Sequence, residues 1–275
     1  LSLALHRHES GSYLGQSTVP TVTGPTSLAV ANAARNPLRS LLTTALIAFA
    51  TFVIVAVGAG RRNPLSETPQ INSGNGGFTL VAETAQPVLY DLNTSDGRRQ
   101  LGFDKDDGLS GDTSIYAFSM KPGSDASCVN LYQTRVPTML GASDAFLDRG
   151  GFQFADTRGE NPWLMLRDEL PRDEHLNIPV IPVIGDMNTL MFSLKKDIGS
   201  RILVPNDDEP QFALKVVGKL DGSVFQGVLV TSDRFLKQID PDVAGTRYFL
   251  IETPPGPASQ QLSSLLESRL NDYGF

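Results

Sequence analysis

The side chains able to carry out covalent chemistry are few and far apart in this sequence. The three histidines are His6, His8 and His175, and Cys128 is the only cysteine. A Ser-His-Asp triad after residue 60 would have to use His175, which lies in a highly charged stretch that we interpret as a solvated loop. A single cysteine excludes an intrachain disulfide, a CxxC redox pair and a zinc site built on several thiolates, so we expect Cys128 to be a small buried apolar residue.

Acidic side chains gather at three places where metal binding or acid–base catalysis has to be considered. The loop Asp104–Asp112 combines carboxylates with glycines, but it lacks the twelve-residue ligand spacing and the final glutamate of an EF-hand. We therefore favour a solvated turn there and leave calcium binding open. The adjacent pairs Asp168/Glu169 and Asp173/Glu174 lie in polar stretches, and neighbouring acids of this kind are not expected to share a pocket.

The motifs of common enzyme classes are missing from the sequence. It contains no GxSxG, no HExxH and no GxxxxGK followed by Ser or Thr, which removes the best support for a hydrolase, a metalloprotease or an NTPase. Trp163, in the stretch Asn161–Leu166, is expected to be a packing anchor and not a platform for ligand stacking. We predict no enzyme, no catalytic, cofactor-binding or metal-binding residue, and no cofactor.

The strongest feature of the chain is an uncharged run of 21 residues, Ser40 to Gly60, between Arg39 and the pair Arg61-Arg62. As a helix, this run would be about 31 Å long and would match a hydrocarbon core of about 30 Å. In lipid only a helix satisfies its own backbone hydrogen bonds, so the β-branched residues within the run are expected to be helical too. We predict a transmembrane helix over residues 38–60.

A cleaved signal peptide is the competing interpretation of the apolar run, because Val57-Gly58-Ala59 fits the small-residue cleavage rule. The 40 residues upstream and the length of the run favour a membrane span. Two arginines flank each side, so charge alone does not orient it. Upstream, we expect a linker over residues 1–26 and an interfacial helix over 27–37, with an elbow before Pro37; one kinked continuous helix is the alternative.

Residues 61–275 are expected to form a mixed α+β domain. A polar juxtamembrane loop with the glycine-rich cluster Ser73–Gly77 comes first. Helical spacing then predicts helices at Asn188–Asp197, Asp233–Ile239 and Ser259–Tyr273, and residues of about 90–175 are a candidate inserted strand-rich subdomain. Short apolar or alternating runs predict strands at Phe78–Glu83, Pro87–Leu92, Ser114–Met120, Val129–Gln133, Ile178–Ile184, Arg201–Val204, Phe212–Leu220, Gly227–Thr231 and Arg247–Glu252.

Charge is distributed unevenly along the chain. Residues 1–60 contain three basic side chains and one acid, whereas residues 61–275 contain 20 basic and 29 acidic side chains, a formal net charge of −9. A domain of that charge repels the phosphate backbone of nucleic acids. A nucleic-acid partner is therefore not expected.

Several stretches resemble one family of membrane proteins. Residues 31–43, Ala-Asn-Ala-Ala-Arg-Asn-Pro-Leu-Arg-Ser-Leu-Leu-Thr, followed by the apolar helix, look like the opening of FtsX-like permease modules, the MacB-type class of ABC transporters. Ile178–Asp186, Leu194–Gly199, Val216–Leu220 and Phe225–Gly227 are similar to the periplasmic core domain of that class, in which a strand, a helix, an lGd turn and a vvGvl strand follow in order. Ser200 stands where the family usually has an acid.

The resemblance implies a topology, a location and partners. Residues before about 38 would be cytoplasmic, residues 61–275 would be a periplasmic core domain, and the C-terminal helix would lead into a second span of a longer protein in the inner membrane. Such permeases carry no active site, and a separate ABC ATPase drives them. They usually work with a second permease module or a dimer partner. Their periplasmic domains handle lipoproteins or small molecules, or signal to envelope proteins. A membrane-tethered binding module without a transport role is the rival interpretation, and a tethered enzyme is the third.

Overall fold

The computed structural model of the chain describes residues 24–25, 35, 37–59, 69–103, 109, 112–123, 137–156, 161–206 and 209–275. By internal contacts the chain divides into two compact units, Leu1–Asn63 and Pro64–Phe275. The first contributes one described helix and the second a mixed α/β domain, so the predicted fold class is confirmed.

Helix α1 spans Pro37–Ala59, within one residue of each predicted boundary of the membrane segment. It begins at a proline, because the fixed φ of proline suits the first helical position, where no intrahelical partner for the missing N–H is needed. Most of the predicted interfacial helix, residues 27–34 and 36, lies outside the described residues, as does the linker except for residues 24–25.

The strands of the domain form a nine-stranded sheet within the described part of the chain. Its order is β1-β9-β2-β3-β8-β5-β7-β4. Strand β7 pairs with two strands along the same edge: β6 pairs with its first half and β4 with its last residues. The pairs β3/β8 and β5/β7 are parallel and the other pairs are antiparallel. The strands are β1 (Leu80–Val88), β2 (Ser114–Lys121), β3 (Thr138–Ala142), β4 (Phe154–Asp156), β5 (Val180–Asp186), β6 (Arg201–Asn206), β7 (Glu209–Leu220), β8 (Val228–Ser232) and β9 (Thr246–Glu252).

Short helices connect the strands, and the longest of them follows β9. They are α2 (Ser95–Gln100), α3 (Asp144–Arg149), α4 (Asp233–Ile239), α5 (Pro257–Arg269), 3-10 helices at Pro162–Arg167 and Asn271–Tyr273, and a π-helix at Thr189–Leu194. Helices α3 and α4 follow β3 and β8 directly, so both start at one end of the sheet, which we call the helix end. At the opposite end β7 finishes and a turn over residues 221–227 leads into β8; we call this the turn end.

The two faces of the sheet have different cores, because side chains alternate between faces along each strand. In β2, Phe118 and Met120 point to an aromatic face, whereas Ile115 points to the other face. Phe146 of α3 and Trp163 of a 3-10 helix cover the aromatic face. The opposite face carries two aliphatic clusters, one under α5 and one under α4 and the π-helix.

The structure corrects two of the predicted elements and adds elements that were not predicted. The predicted separate strand Pro87–Leu92 is wrong, because β1 runs on to Val88 through a register shift and residues 89–92 lie outside any strand. The predicted helix Asn188–Asp197 is only the short π-helix, which ends where Lys195 takes a left-handed conformation with φ of 53°. Strands β3 and β4 and helices α2 and α3 were not predicted, and Val129–Gln133 lies outside the described residues.

The candidate subdomain at about 90–175 stays a prediction. Its strands β2 and β3 lie in the middle of the sheet, between β9 and β8. This segment therefore shares its hydrogen-bonded ladder with the C-terminal part of the chain.

Candidate functional site: the apolar helix and the strap that follows it

No residue of helix α1 is buried, and all of its side chains except the half-buried Ser40 are exposed. Its 23 residues correspond to about 34 Å of helix, and among the described residues it is the one helix long and apolar enough to cross a membrane. The hydroxyls of Thr43 and Thr51 each donate to the carbonyl four residues earlier, at 2.9 Å, so both polar side chains are satisfied within the helix. By length and composition α1 is suited to lipid.

The residues that directly precede β1 are fixed to the rest of the domain at three separate places. We call residues 69–79 the strap. The carbonyl of Ile71 accepts a hydrogen bond from Phe152 N at 2.6 Å, and that of Gly74 accepts one from Val224 N at 3.0 Å. Thr79 N then donates to the carbonyl of Ile251 at 3.0 Å. The strap thus crosses the aromatic face from the turn end to the helix end, where β1 starts.

Two glycines of the strap are required by close approach. A Cβ on Gly74 would lie 2.1 Å from the carbonyl oxygen of Gly222, and one on Gly76 would lie 2.3 Å from the ring of Phe152. Gly76 also has a φ of +63°, which residues with a Cβ rarely adopt. The composition of Ser73–Gly77 predicted a loop, and the structure shows a loop that is packed tightly against the domain.

Arg149, the last residue of α3, holds the strap from the side. Its Nη1 donates to the carbonyl of Gly76 at 2.9 Å, and its Nε donates to the Glu252 carboxylate at 2.9 Å. The guanidinium carbon lies 4.0 Å from the centre of the Phe78 ring, a cation–π geometry. The Arg149 side chain is only 10% exposed, whereas its partner Glu252 is 46% exposed, and these contacts join the strap, α3 and β9.

The Arg149 site also contacts the Tyr116 ring, whose centre lies 5.6 Å from the guanidinium carbon. Burial raises the pKa of the Tyr116 phenol, and the positive charge of Arg149 acts in the opposite direction. Phe78, Tyr116 and Phe146 pack together here with ring centres 5.5 to 6.3 Å apart. The strap therefore contributes a buried aromatic side chain to the core that it crosses.

A buried carboxylate supports the turn on which the strap rests. Asp186, at the end of β5, is fully buried. Its Oδ2 accepts hydrogen bonds from Ser223 N at 2.6 Å and Ser223 Oγ at 3.0 Å, and its Oδ1 accepts one from Asn188 N at 2.9 Å. These bonds satisfy the carboxylate and fix residues 221–224, which hold Gly74.

The last residues of the chain return toward the turn end of the sheet. The carbonyl of Gly274 accepts a hydrogen bond from Ala85 N at 3.3 Å, and Ala85 lies in the half of β1 that approaches the turn end. Gly74 lies at that end too. The strap and the C-terminal segment therefore both reach the same end of the domain.

The side chains singled out in the sequence do not converge on a reaction centre. Trp163 is fully buried and its Nε1 donates to the carbonyl of Gly151 at 2.9 Å, which confirms a packing anchor. His175 is exposed on a turn, as expected, but Asp173 beside it is buried and caps that turn. Hydrogen bonds from Leu176 N and His175 N, and then the charge of Arg201, hold the pKa of Asp173 below its usual range.

The remaining candidates give no cluster within the described residues. Asp168, Glu169 and Glu174 are exposed. No group of three or more His, Cys, Asp or Glu in the described part of the chain could hold a metal ion. His6, His8, Cys128 and most of the Asp104–Asp112 loop lie outside the described residues.

Sequence reasoning missed the two side chains that organise the site. Arg149 has no motif around it, and Asp186 ends the family-like stretch Ile178–Asp186 without a role that the sequence indicates. Their partners lie 103 residues away at Glu252 and 37 residues away at Ser223. Only the glycine cluster of the strap carried a signal, and its composition does not distinguish a free loop from a packed one.

Comparison with known proteins gives remote structural likenesses. No family model and no curated protein matches the sequence. The extracellular domain of a noncanonic ABC-type transporter, YknZ, from Gram-positive bacteria is 12% identical, with a TM-score of 0.37 over 70% of this chain and 92% of that one. The periplasmic region of MacB from Actinobacillus actinomycetemcomitans is 11% identical, with a TM-score of 0.34 over 70% of this chain and 83% of that one. Because both likenesses are remote, a functional proposal has to depend on the motifs and contacts of this chain.

Proposed function

We propose that this chain is part of a permease subunit of an ABC-type transporter, with an extracytoplasmic domain that moves together with the membrane helices. The observation that carries the proposal is the strap: residues 69–79, which precede β1, are bonded to the domain at three separate places. A passive tether has no need of such contacts. The family motifs in residues 31–43 and 178–227 support the same assignment.

The strap would distribute a displacement of α1 over three parts of the domain. A pull on residue 69 acts on Phe152 after α3, on Val224 in the turn before β8 and, through Arg149 and Glu252, on β9. Buried hydrogen bonds and aromatic packing resist local opening, so the domain would respond as a body. The domain acts here as a mechanical part and takes no covalent role.

The proposal implies partners that supply what this chain lacks. A separate ABC ATPase would provide the energy of ATP hydrolysis, and a second permease module or a dimer partner would complete the membrane part. The return of the C-terminal segment to the strap's end of the domain suits a domain inserted between two spans. The cargo or partner outside the inner membrane would be a lipoprotein, a small molecule or an envelope protein.

Topology is tested by cysteine labelling of the full-length protein in intact cells. In a Cys128→Ser background, Asp96→Cys on the domain should react with a membrane-impermeant maleimide from outside. Arg35→Cys, on the other side of α1, should react only after permeabilisation; both positions are exposed in the structure. Equal labelling of both positions in intact cells would exclude a spanning α1.

The transport assignment is tested with the full-length protein in nanodiscs. We expect it to copurify with an ABC ATPase whose hydrolysis rate depends on the permease. A protein that reaches the membrane in the predicted topology but neither binds nor stimulates an ATPase would instead be a tethered binding module.

One feature of the domain favours that second function. The parallel strands β3 and β8 are neighbours, but α3 packs on the aromatic face and α4 on the opposite face. Ligands of α/β sheets often bind in the crevice where the chain switches faces in this way. Here the crevice is lined by Ala142, Ser143, Asp144, Arg167, Ser232, Asp233, Arg234 and Lys237.

A further inference from the structure

The π-helix presents a small apolar and basic surface to solvent. Phe192 is 72% exposed, more than any other large hydrophobic side chain in the described part of residues 69–275, and its neighbour Met191 is 45% exposed. Lys195 and Lys196 follow, and residues 188–196 contain no acid. We call residues 191–196 the tip.

The tip is held rigidly from below. Leu190 is fully buried in the aliphatic core, and the hydroxyl of Thr189 accepts a hydrogen bond from Gly227 N at 2.8 Å. Lys196 N donates to the carbonyl of Leu190 at 2.8 Å, which closes the segment behind the tip. Because the backbone is already ordered, presenting Phe192 to a binding surface costs little further entropy.

The tip and the strap are anchored to the same turn of the domain. The turn over residues 221–227 bonds to Gly74 of the strap through Val224 N, and to Thr189 below the tip through Gly227 N. These two anchor points are only three positions apart in the sequence. The tip therefore lies at the end of the domain where the strap, which follows the membrane helix in the sequence, begins.

The charge of the tip is opposite to that of the domain. Residues 61–275 carry a formal net charge of −9, whereas Lys195 and Lys196 form no ion pair with any described residue. Asp197 does not neutralise them, because its carboxylate pairs with Lys219 at 2.7 Å, and that hydrogen bond lowers the pKa of Asp197. The tip is thus a basic spot on an acidic domain.

We propose that the tip contacts the surface of an anionic bilayer, with Phe192 and Met191 at the boundary between headgroups and acyl chains and both lysines on lipid phosphates. Aromatic and apolar side chains flanked by lysines are suited to this interface. The inference rests on the proposed function, since anchoring by α1 keeps the domain next to lipid. It gives the domain a second membrane contact that would limit how it tilts when α1 moves.

The test places a nitroxide at the tip of the full-length protein in nanodiscs with and without phosphatidylglycerol. Phe192→Cys in a Cys128→Ser background is compared with Leu176→Cys, which is 47% exposed and precedes β5 at the opposite end of the domain. With anionic lipid, we expect the label at 192 to be accessible to oxygen and shielded from an aqueous nickel complex, and the label at 176 to show the reverse. Lys195→Gln and Lys196→Gln should each shift the equilibrium between lipid-bound and water-exposed tip by about fivefold.

A label at Ala48→Cys on α1 separates failure of the tip from failure of the anchor. If the label at 48 is in lipid but the one at 192 is as accessible to nickel as the one at 176, the tip proposal is overturned and the span stands. If position 48 is itself exposed to water, the proposed function fails and the tip proposal with it. Shielding of 192 that appears only when another protein is added would also overturn a lipid contact.

Discussion

The turn end and the helix end of the sheet hold their charged side chains in different ways. At the turn end, Asp186 is fully buried with every hydrogen bond made inside the protein. At the helix end, Arg167 pairs with Asp144 and Asp148 at 3.0 and 2.7 Å, but both acids are largely exposed. Arg167 lowers the pKa of Asp148, yet an exposed pair of this kind adds little stability because water screens it.

The proposed function predicts that the two ends differ in how they respond to a displacement of α1. The turn end contains the start of the strap, fixed by backbone hydrogen bonds, and the turn that supports it, fixed by buried hydrogen bonds to Asp186. At the helix end, the ion pairs of Arg167 are open to water. If the domain transmits motion from the membrane, substitutions at the strap and its supports should be costly and matched substitutions at the helix end should not.

Removing the buried carboxylate should have the largest effect. Asp186→Ala leaves the donors of Ser223 and Asn188 without a partner inside the protein and should cost about 3 kcal/mol of folding free energy or more. We expect the Tm of the full chain in detergent to fall by roughly 6 to 12 °C. Asp148→Ala is the matched control at the helix end and should leave Tm unchanged; equal losses would remove the distinction between the two ends.

The contact between Gly74 and Gly222 allows the next test. Gly74→Ala places a Cβ against a backbone carbonyl and should cost about 2 to 3 kcal/mol, with loosening of the strap seen as faster amide exchange at Val224. Gly222→Ala faces open space and carries only the strain of a left-handed residue, about 1 kcal/mol. Equal costs at the two positions would mean that the strap is not packed as described.

Arg149→Ala should lower the stability less than Gly74→Ala does, but it should uncouple the strap from α3 and β9 more strongly. Loss of the cation–π contact and of the hydrogen bond to Gly76 should cost about 2 kcal/mol. Arg234→Ala, which removes a mostly exposed arginine lying 4.6 Å over the Phe235 ring, should cost less than about 0.5 kcal/mol. In a complex with the ATPase, only Arg149→Ala should separate ATP hydrolysis from movement of the domain.

The smallest effect is expected in the pH dependence. Because the folded-state pKa of Asp173 lies below its unfolded value of about 3.9, its contribution to stability is present above that pH and is lost as the pH falls through the folded-state pKa. Asp173→Asn should therefore reduce the gap in Tm between pH 7 and pH values below about 4. A gap as large as in the parent chain would show that the capping carboxylate has no such role.

The sequence predicted the elements better than their connections. The length of the uncharged run was enough for α1, and alternation placed β2, β7 and β9, because each of these patterns is local. Strand β3, Met-Leu-Gly-Ala after Thr138, was missed since it is short and interrupted by a glycine that makes room for Asp233 and Leu236. The π-helix was predicted as an ordinary helix, because no local sequence feature indicates that Lys195 adopts a left-handed backbone conformation.

The strap could not have been predicted from the sequence, because its structure is decided by distant partners. Phe152, Val224 and Ile251 bond to it from positions 81, 150 and 172 residues away from Ile71, Gly74 and Thr79. A glycine-rich, polar stretch predicts a loop equally well whether or not such partners exist. Long-range pairing of this kind leaves no periodicity that a single sequence can display.

Coupling between α1 and the domain is tested most directly by a distance measurement. Nitroxides at Val57→Cys on α1 and Asp96→Cys on the domain, in the full-length permease with its ATPase in nanodiscs, report how the two move under ATP. Transmission through the strap predicts a distance that shifts when ATP is trapped, and a shift that disappears in Arg149→Ala while the domain stays folded. The same shift in Arg149→Ala, or none in the parent protein, would contradict it.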